Sequence, residues 1–129
     1  MKSKILLWVV AASLMCFAAD GSWLKKVPPQ ERQRVNPYTG HAGAVSEGRS
    51  LFEEHCAKCH GDHAQGKGSR PALVSPRIAA ATDGELAWLL KNGNSFRGMP
   101  IWGSLPERDR WELVAYLRSL NSPTGAVHP

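Results

Sequence analysis

Uncharged, mostly apolar residues run from Ile5 to Ala19, a polar and proline-bearing stretch follows, and a helical period sets in only after residue 44. Gly48, Phe52 and Cys56 recur every four residues and so share one helix face. The pattern predicts a first helix from near Ser46, a good N-cap with Glu47 at the positive end, to about Cys56. A glycine inside a helix costs ~1 kcal/mol relative to alanine, and beside Phe52 it would let another helix cross closely. Residues 61–77 are Gly, Ser, Lys and Pro-rich and read as a loop. Thr82-Asp83-Gly84-Glu85 is a capping box, with Leu86, Leu89 and Leu90 following at helical spacing and Asn92-Gly93 as a stop. Residues 94–103 form a loop with an apolar tip, and a last helix from near Pro106 carries Leu113, Tyr116, Leu117 and Leu120 on one face. No stretch shows strand alternation, so the expected fold is all-α.

The front of the chain reads as an export signal. Lys2 and Lys4 precede the 15-residue apolar run, which is short of the roughly 20 residues that span a bilayer. A cut after Ala18 places Cys16 and Ala18 at the small-residue positions, whereas a cut after Ala19 would place bulky Phe17 there. Residues 1–18 are therefore expected to be a signal peptide. The rival is an uncleaved membrane tether through residues 5–24, which would bring Asp20 to the lipid at ~2–3 kcal/mol. Lipidation of Cys16 is disfavoured by the bulky Leu14-Met15 before it. Pro28-Pro29, Asn36-Pro37 and Thr39-Gly40 mark residues 19–43 as an extended arm or linker. Residues 44–122 are then the domain, and 123–129 a flexible tail.

Composition narrows the function. The 129 residues allow one domain, and five tryptophans argue against disorder. The formal charge of +5 falls to +3 once Lys2 and Lys4 leave with the signal, since 14 basic residues then face 11 acidic ones. No Lys/Arg stripe interleaved with aromatics exists, so nucleic-acid binding has no support. Cleavage also leaves only Cys56 and Cys59, too few for a disulfide scaffold. A domain of about 79 residues rarely supplies more than ~3–5 kcal/mol from its own core, and a covalently held apolar cofactor would complete the interior.

Cys56-Ala57-Lys58-Cys59-His60 is C-x-x-C-H, the attachment sequence for c-type haem. Two thiols three residues apart at a helix end reach two vinyl groups on one side of a porphyrin, and His60 then lies under the iron. Three other chemistries use similar residues, one of them a plain Cys56–Cys59 disulfide, whose tight ring would staple little. A thioredoxin-like pair expects a βαβ setting, and a zinc site would draw on Cys56, Cys59, His60 and His63. After export Met99 is the only methionine, set in Arg97-Gly98-Met99-Pro100, and its thioether is the candidate second axial ligand. His41, His55, His63 and His128 are the fallback ligands. Trp102, three residues beyond Met99, is a candidate haem wall or propionate partner.

From Val45 to Leu120 the chain resembles the class I mono-haem c-type cytochromes. The matching pieces are Gly48, Phe52 and Cys56-x-x-Cys59-His60, then Gly98-Met99-Pro100, then Leu113-Val114-Ala115-Tyr116-Leu117. The resemblance implies a small cytochrome c fold, three to five helices around one haem c held by Cys56 and Cys59. It implies that the terminal helices cross at Gly48 and Phe52, and that the carbonyl of Pro71 accepts the free N–H of His60. It further implies a one-electron carrier, not an enzyme, with His60 and Met99 as axial ligands and Lys58 and Lys67 as rim charges. The expected partners are redox proteins (a dehydrogenase, a cytochrome complex or a terminal oxidase), met in the periplasm by a monomer or one subunit of a complex. The alternative is a five-coordinate haem protein with peroxidase or gas-binding activity. The arm over 19–43 has no counterpart in the minimal carriers.

Overall fold

In the computed structural model residues 21–123 are described; the expected signal peptide, His128 and nearly all of the expected tail lie outside the described residues. A 3₁₀ turn, Gly21–Lys26, leads into α1 (Pro29–Arg32), α2 (Ala42–His55), α3 (Ala57–His60), α4 (Pro76–Ala80) and α5 (Asp83–Asn92). A second 3₁₀ turn, Ser95–Arg97, and α6 (Glu107–Leu120) follow. No strand forms among the described residues, which contain only two isolated β-bridges, Lys67 with Arg70 and Asn94 with Met99.

The last helix organises the rest. Every residue of α6 from Arg110 to Leu117 is buried, and a helix buried all round must be covered on several sides. One side is taken by α2, where Phe52 is buried and its ring lies 5.4 Å from that of Tyr116. Gly48 makes the crossing close, because a Cβ there would meet the Glu112 carbonyl oxygen at 2.0 Å. A second side faces α5, whose Leu86 and Leu90 join Trp111, Leu113 and Val114 in one core. The buried Glu112 carboxylate accepts from Arg108 Nε at 2.8 Å, one helical turn away.

The third side is covered by residues 21–38, which corrects the expectation of an extended arm. Trp23 and Val27 are buried in the common core. Arg32 donates to the carbonyls of Leu24 and Val27 and faces Glu85 across 3.5 Å. Thr82 Oγ1 donates to the Arg32 carbonyl at 2.9 Å, and a Cβ on Gly84 would meet the Glu31 oxygen at 1.8 Å. The buried Asn36 donates from Nδ2 to the Trp111 carbonyl at 2.8 Å, and its Oδ1 accepts from Tyr38 N–H at 2.9 Å. Arg34 lies over the Trp111 ring, 5.0 Å from its centroid, and pairs with Glu107. Proline and charge dominate this segment's composition, yet Trp23 and Val27 stand four apart and bury together.

This packing carries a prediction. Asn36→Ala removes two side-chain hydrogen bonds, the one to the Trp111 carbonyl, which keeps its helical partner, and the one from Tyr38 N–H, at ~0.5–1.5 kcal/mol each. The urea midpoint of the holoprotein should fall accordingly, and an unchanged midpoint would mean that residues 21–38 add no stability.

Local signals account for most helix ends. Thr82 and Glu85 form the capping box in both directions, at 2.8 and 3.1 Å. Ser75 caps α4 by accepting from Ile78 N–H, and Pro76 takes its first turn, so a short helix begins where the expected 61–77 loop was to end. The first helix begins at Ala42 rather than near Ser46, because the Asn36–Tyr38 turn carries the chain into it and Ala44 is buried. Arg118 closes the α4–α5 corner, with Nε 2.6 Å from Asp83 and further bonds to the carbonyls of Ile78, Ala79 and Ala81.

Candidate functional site

The end of α2 delivers the cysteines. Cys56 N–H bonds to the Phe52 carbonyl at 2.8 Å, and the Cys56 carbonyl then accepts from Cys59 N–H at 3.1 Å and from His60 N–H at 2.9 Å. Those bonds wind Cys56, Cys59 and His60 around one short turn, α3. Both cysteines are half-buried and are not joined to each other in a disulfide. Burial, aided by Cys59, pushes the Cys56 thiol up to about 11. The pocket therefore disfavours a sulfur anion, whereas a thioether carries no charge and loses nothing there.

The loop after α3 curls back beneath His60. His60 O accepts from Gly66 N–H at 2.7 Å, Ala64 O accepts from Leu73 N–H at 2.8 Å, and Lys67 pairs with Arg70. The fully buried Ala64 takes φ 56° to make this bend, a left-handed conformation that costs a residue with a Cβ roughly 1–2 kcal/mol. As a result the Pro71 carbonyl comes to rest 2.8 Å from His60 Nδ1. A carbonyl only accepts, so Nδ1 carries a proton, and of the two neutral tautomers the contact selects the one with its lone pair on Nε2.

Met99 belongs to a second loop. Its N–H and carbonyl pair with Asn94 at 3.0 and 3.1 Å, closing a small ring around the Ser95–Arg97 turn. Gly93 starts that ring at φ 66°, and a Cβ there would meet the Pro100 oxygen at 2.6 Å. Trp102 N–H donates to the Leu90 carbonyl at 3.0 Å, which pins the far end of the loop to α5. The Met99 side chain is half-buried against the core, and the half-buried Trp102 ring lies 5.1 Å from that of His55.

The donors and the surface suit a haem. Leu73, Trp88, Leu89, Met99 and Cys56 are only partly buried, and on the Met99 loop Phe96 and Ile101 are 94% and 61% exposed. Uncovered apolar residues around neutral sulfurs and one oriented imidazole match a flat apolar group. The competing zinc reading finds no support, since no group of three His, Cys, Asp or Glu able to hold a metal forms among the described residues. Of the fallback ligands, His41 heads α2 beside the Tyr38 ring, His55 packs at a tilt against Trp102, and His63 is exposed. Reading of the chain missed Asn94, which shapes the Met99 loop through its backbone and so leaves no side-chain signal. It missed Arg70 too, whose Nη1 donates to the Gly98 carbonyl at 3.3 Å.

The chain is similar to known proteins. Residues 43–117 match the family described as cytochrome c oxidase, cbb3-type, subunit III. Cytochrome c-554(547) of Halothiobacillus neapolitanus is 33% identical over 90 residues, covering 61% of this chain and 99% of that protein. Thiosulfate dehydrogenase of Stutzerimonas stutzeri is 29% identical over 86 residues, 61% of this chain but only 28% of the enzyme. Cytochrome cL of Methylophaga aminisulfidivorans superposes with a TM-score of 0.56 at 30% identity, over 64% of this chain and 57% of that one. The crossing of α2 and α6, the Cys56–His60 turn and these matches lead to one assignment: the chain belongs to the class I c-type cytochromes, electron-transfer proteins, and holds haem c through Cys56 and Cys59.

Proposed function

We propose that this chain is an exported one-electron carrier in which His60 and Met99 are the axial ligands of the haem iron. The observation that carries the reading is the 2.8 Å contact between His60 Nδ1 and the Pro71 carbonyl. It holds the imidazole in one tautomer, raises its donor strength and aims Nε2 away from the loop. Met99 supports the reading from the other loop, as a half-buried thioether whose backbone is fastened on both sides by Asn94. When bound, the haem supplies a one-electron couple, and a methionine ligand favours its reduced state.

The protein's part is to hold both ligands, exclude water and present an edge. The α2–α6 core and the residues packed on it keep solvent from the ligand side, while the exposed Lys58 and Lys67 share one rim through Lys67 Nζ bonding to the Lys58 carbonyl at 3.3 Å. Two ammonium groups on one rim favour an acidic face on a redox partner, a dehydrogenase, a cytochrome complex or a terminal oxidase. Such encounters are weak and screened within about 10 Å at 0.1 M salt. Electron transfer to an acidic partner should therefore slow as salt is raised, and a rate independent of salt would remove these lysines from the docking face.

Export is supported by Lys2, Lys4 and the apolar run behind them. Among the described residues no helix is long and apolar enough to cross a membrane. Periplasmic placement follows from the export reading, either free or held on that side through residues 5–24.

The test is spectroscopic. The ferric protein should show the weak near-infrared sulfur-to-iron band and resist cyanide. Immediate cyanide binding without that band would replace this reading with a five-coordinate haem suited to peroxide or gas chemistry.

A further inference from the structure

We propose that Arg70 is a positioning residue for Met99, a clasp that joins the loop orienting one axial ligand to the loop carrying the other. The inference rests on the His60/Met99 reading above. Arg70 directly precedes Pro71, whose carbonyl holds His60, and its Nη1 reaches the carbonyl of Gly98, directly before Met99. The two loops are 28 residues apart in sequence, and this side chain spans them.

Both ends of the clasp are anchored. On the proximal side Arg70 N–H bonds to the Lys67 carbonyl at 2.8 Å, and Lys67 N–H bonds back to the Arg70 carbonyl at 3.1 Å. On the distal side Gly98 lies inside the Asn94–Met99 ring, at φ 79°. A Cβ on Gly98 would stand 3.1 Å from Arg70 Nη1, so the guanidinium lies directly against this backbone. The His55–Trp102 ring contact, at 5.1 Å, ties the same loop down three residues after Met99. Met99 thus sits between the Arg70 bond on one side and, on the other, Trp102, whose ring meets His55 and whose N–H bonds to the Leu90 carbonyl. A charged donor on a neutral carbonyl is stronger than a neutral pair, and its loss would loosen the Gly98–Met99 side of a loop that the Asn94 and Trp102 backbone bonds still hold.

The clasp acts through the methionine, so its effect should vanish when the methionine is gone. The experiment titrates imidazole, which competes with methionine for ferric iron, into the holoprotein of four forms: unmodified, Arg70→Ala, Met99→Ala, and the double variant. Arg70→Ala should bind imidazole about three- to tenfold more tightly than the unmodified protein, the weight of one net hydrogen bond. On the Met99→Ala background the same change should alter affinity by less than about twofold. Equal factors on both backgrounds, or no effect on the unmodified background, would overturn the clasp. If Met99→Ala leaves imidazole affinity and the near-infrared band untouched, the ligand reading fails and takes the clasp with it. A response to Met99→Ala with none to Arg70→Ala sinks the clasp alone.

Discussion

Met99→Ala is expected to lower the midpoint potential by about 0.1–0.2 V, a fraction of the roughly 0.8 V that axial ligands span across haem proteins. The direction follows from ligand softness: a thioether stabilises ferrous iron, and water or hydroxide in its place favours ferric. At 59 mV per factor of ten for one electron, the change corresponds to about 2–5 kcal/mol against the reduced state. The fold should survive, because the Met99 loop is held by backbone bonds to Asn94 and by Trp102 N–H on Leu90. Potentiometric titration and a thermal melt on the same sample separate the two effects. A potential within about 0.03 V of the unmodified protein, close to 0.7 kcal/mol, would show that Met99 is not on the iron.

The second large effect lies in the helix crossing. Gly48→Ala should cost about 3–5 kcal/mol, comparable with the whole stability of a domain this size. The added Cβ would stand 2.0 Å from the Glu112 oxygen, 2.6 Å from its carbon and 2.9 Å from Tyr116 Cβ. Two of those atoms are backbone of α6, which cannot rotate aside as a side chain can. Relief requires α2 to move away from α6, and that opens the contact between Phe52 and Tyr116. Gly43, in the first turn of the same helix, has nothing within 4 Å of its would-be Cβ. Gly43→Ala should therefore be neutral or stabilise by about 0.5–1 kcal/mol. Urea unfolding of the two holoproteins makes the comparison, and similar midpoints would mean that the crossing tolerates a methyl group.

The difference between these glycines illustrates what could be read along the chain. Gly48 stood out because it shares a face with Phe52 and Cys56, so a close crossing was legible before any partner was known. Its particular neighbours were not, and Glu112 was invisible as part of the contact because it touches Gly48 through its carbonyl. The buried run of α6 was legible on one face only. Arg110, Trp111 and Glu112 are buried as well because residues 21–38 and α5 close over the sides that polarity marked as open.

The segment over 21–38 shows the limit most clearly. Its prolines suggested an extended arm, and a 3₁₀ turn and the four-residue α1 form there. Short elements carry too few residues for a period to emerge, so the packing of Trp23 and Val27 had no periodic signature. Its anchors, Asn36 on Trp111 and Arg32 near Glu85, join residues 75 and 53 positions apart.

The order of residues alone determined the chemistry of attachment, the capping of α5 and the all-helical character. Each depends on groups within a few positions, where chain geometry leaves little choice. The Pro71 carbonyl at His60 was expected through the family resemblance alone, whereas tertiary structure decided that Arg70 would reach Gly98 and that residues 21–38 would cover α6 instead of hanging free. Those pairings are chosen by how packed helices bring distant segments together, and nothing local distinguishes the carbonyl or guanidinium that will be used from its neighbours.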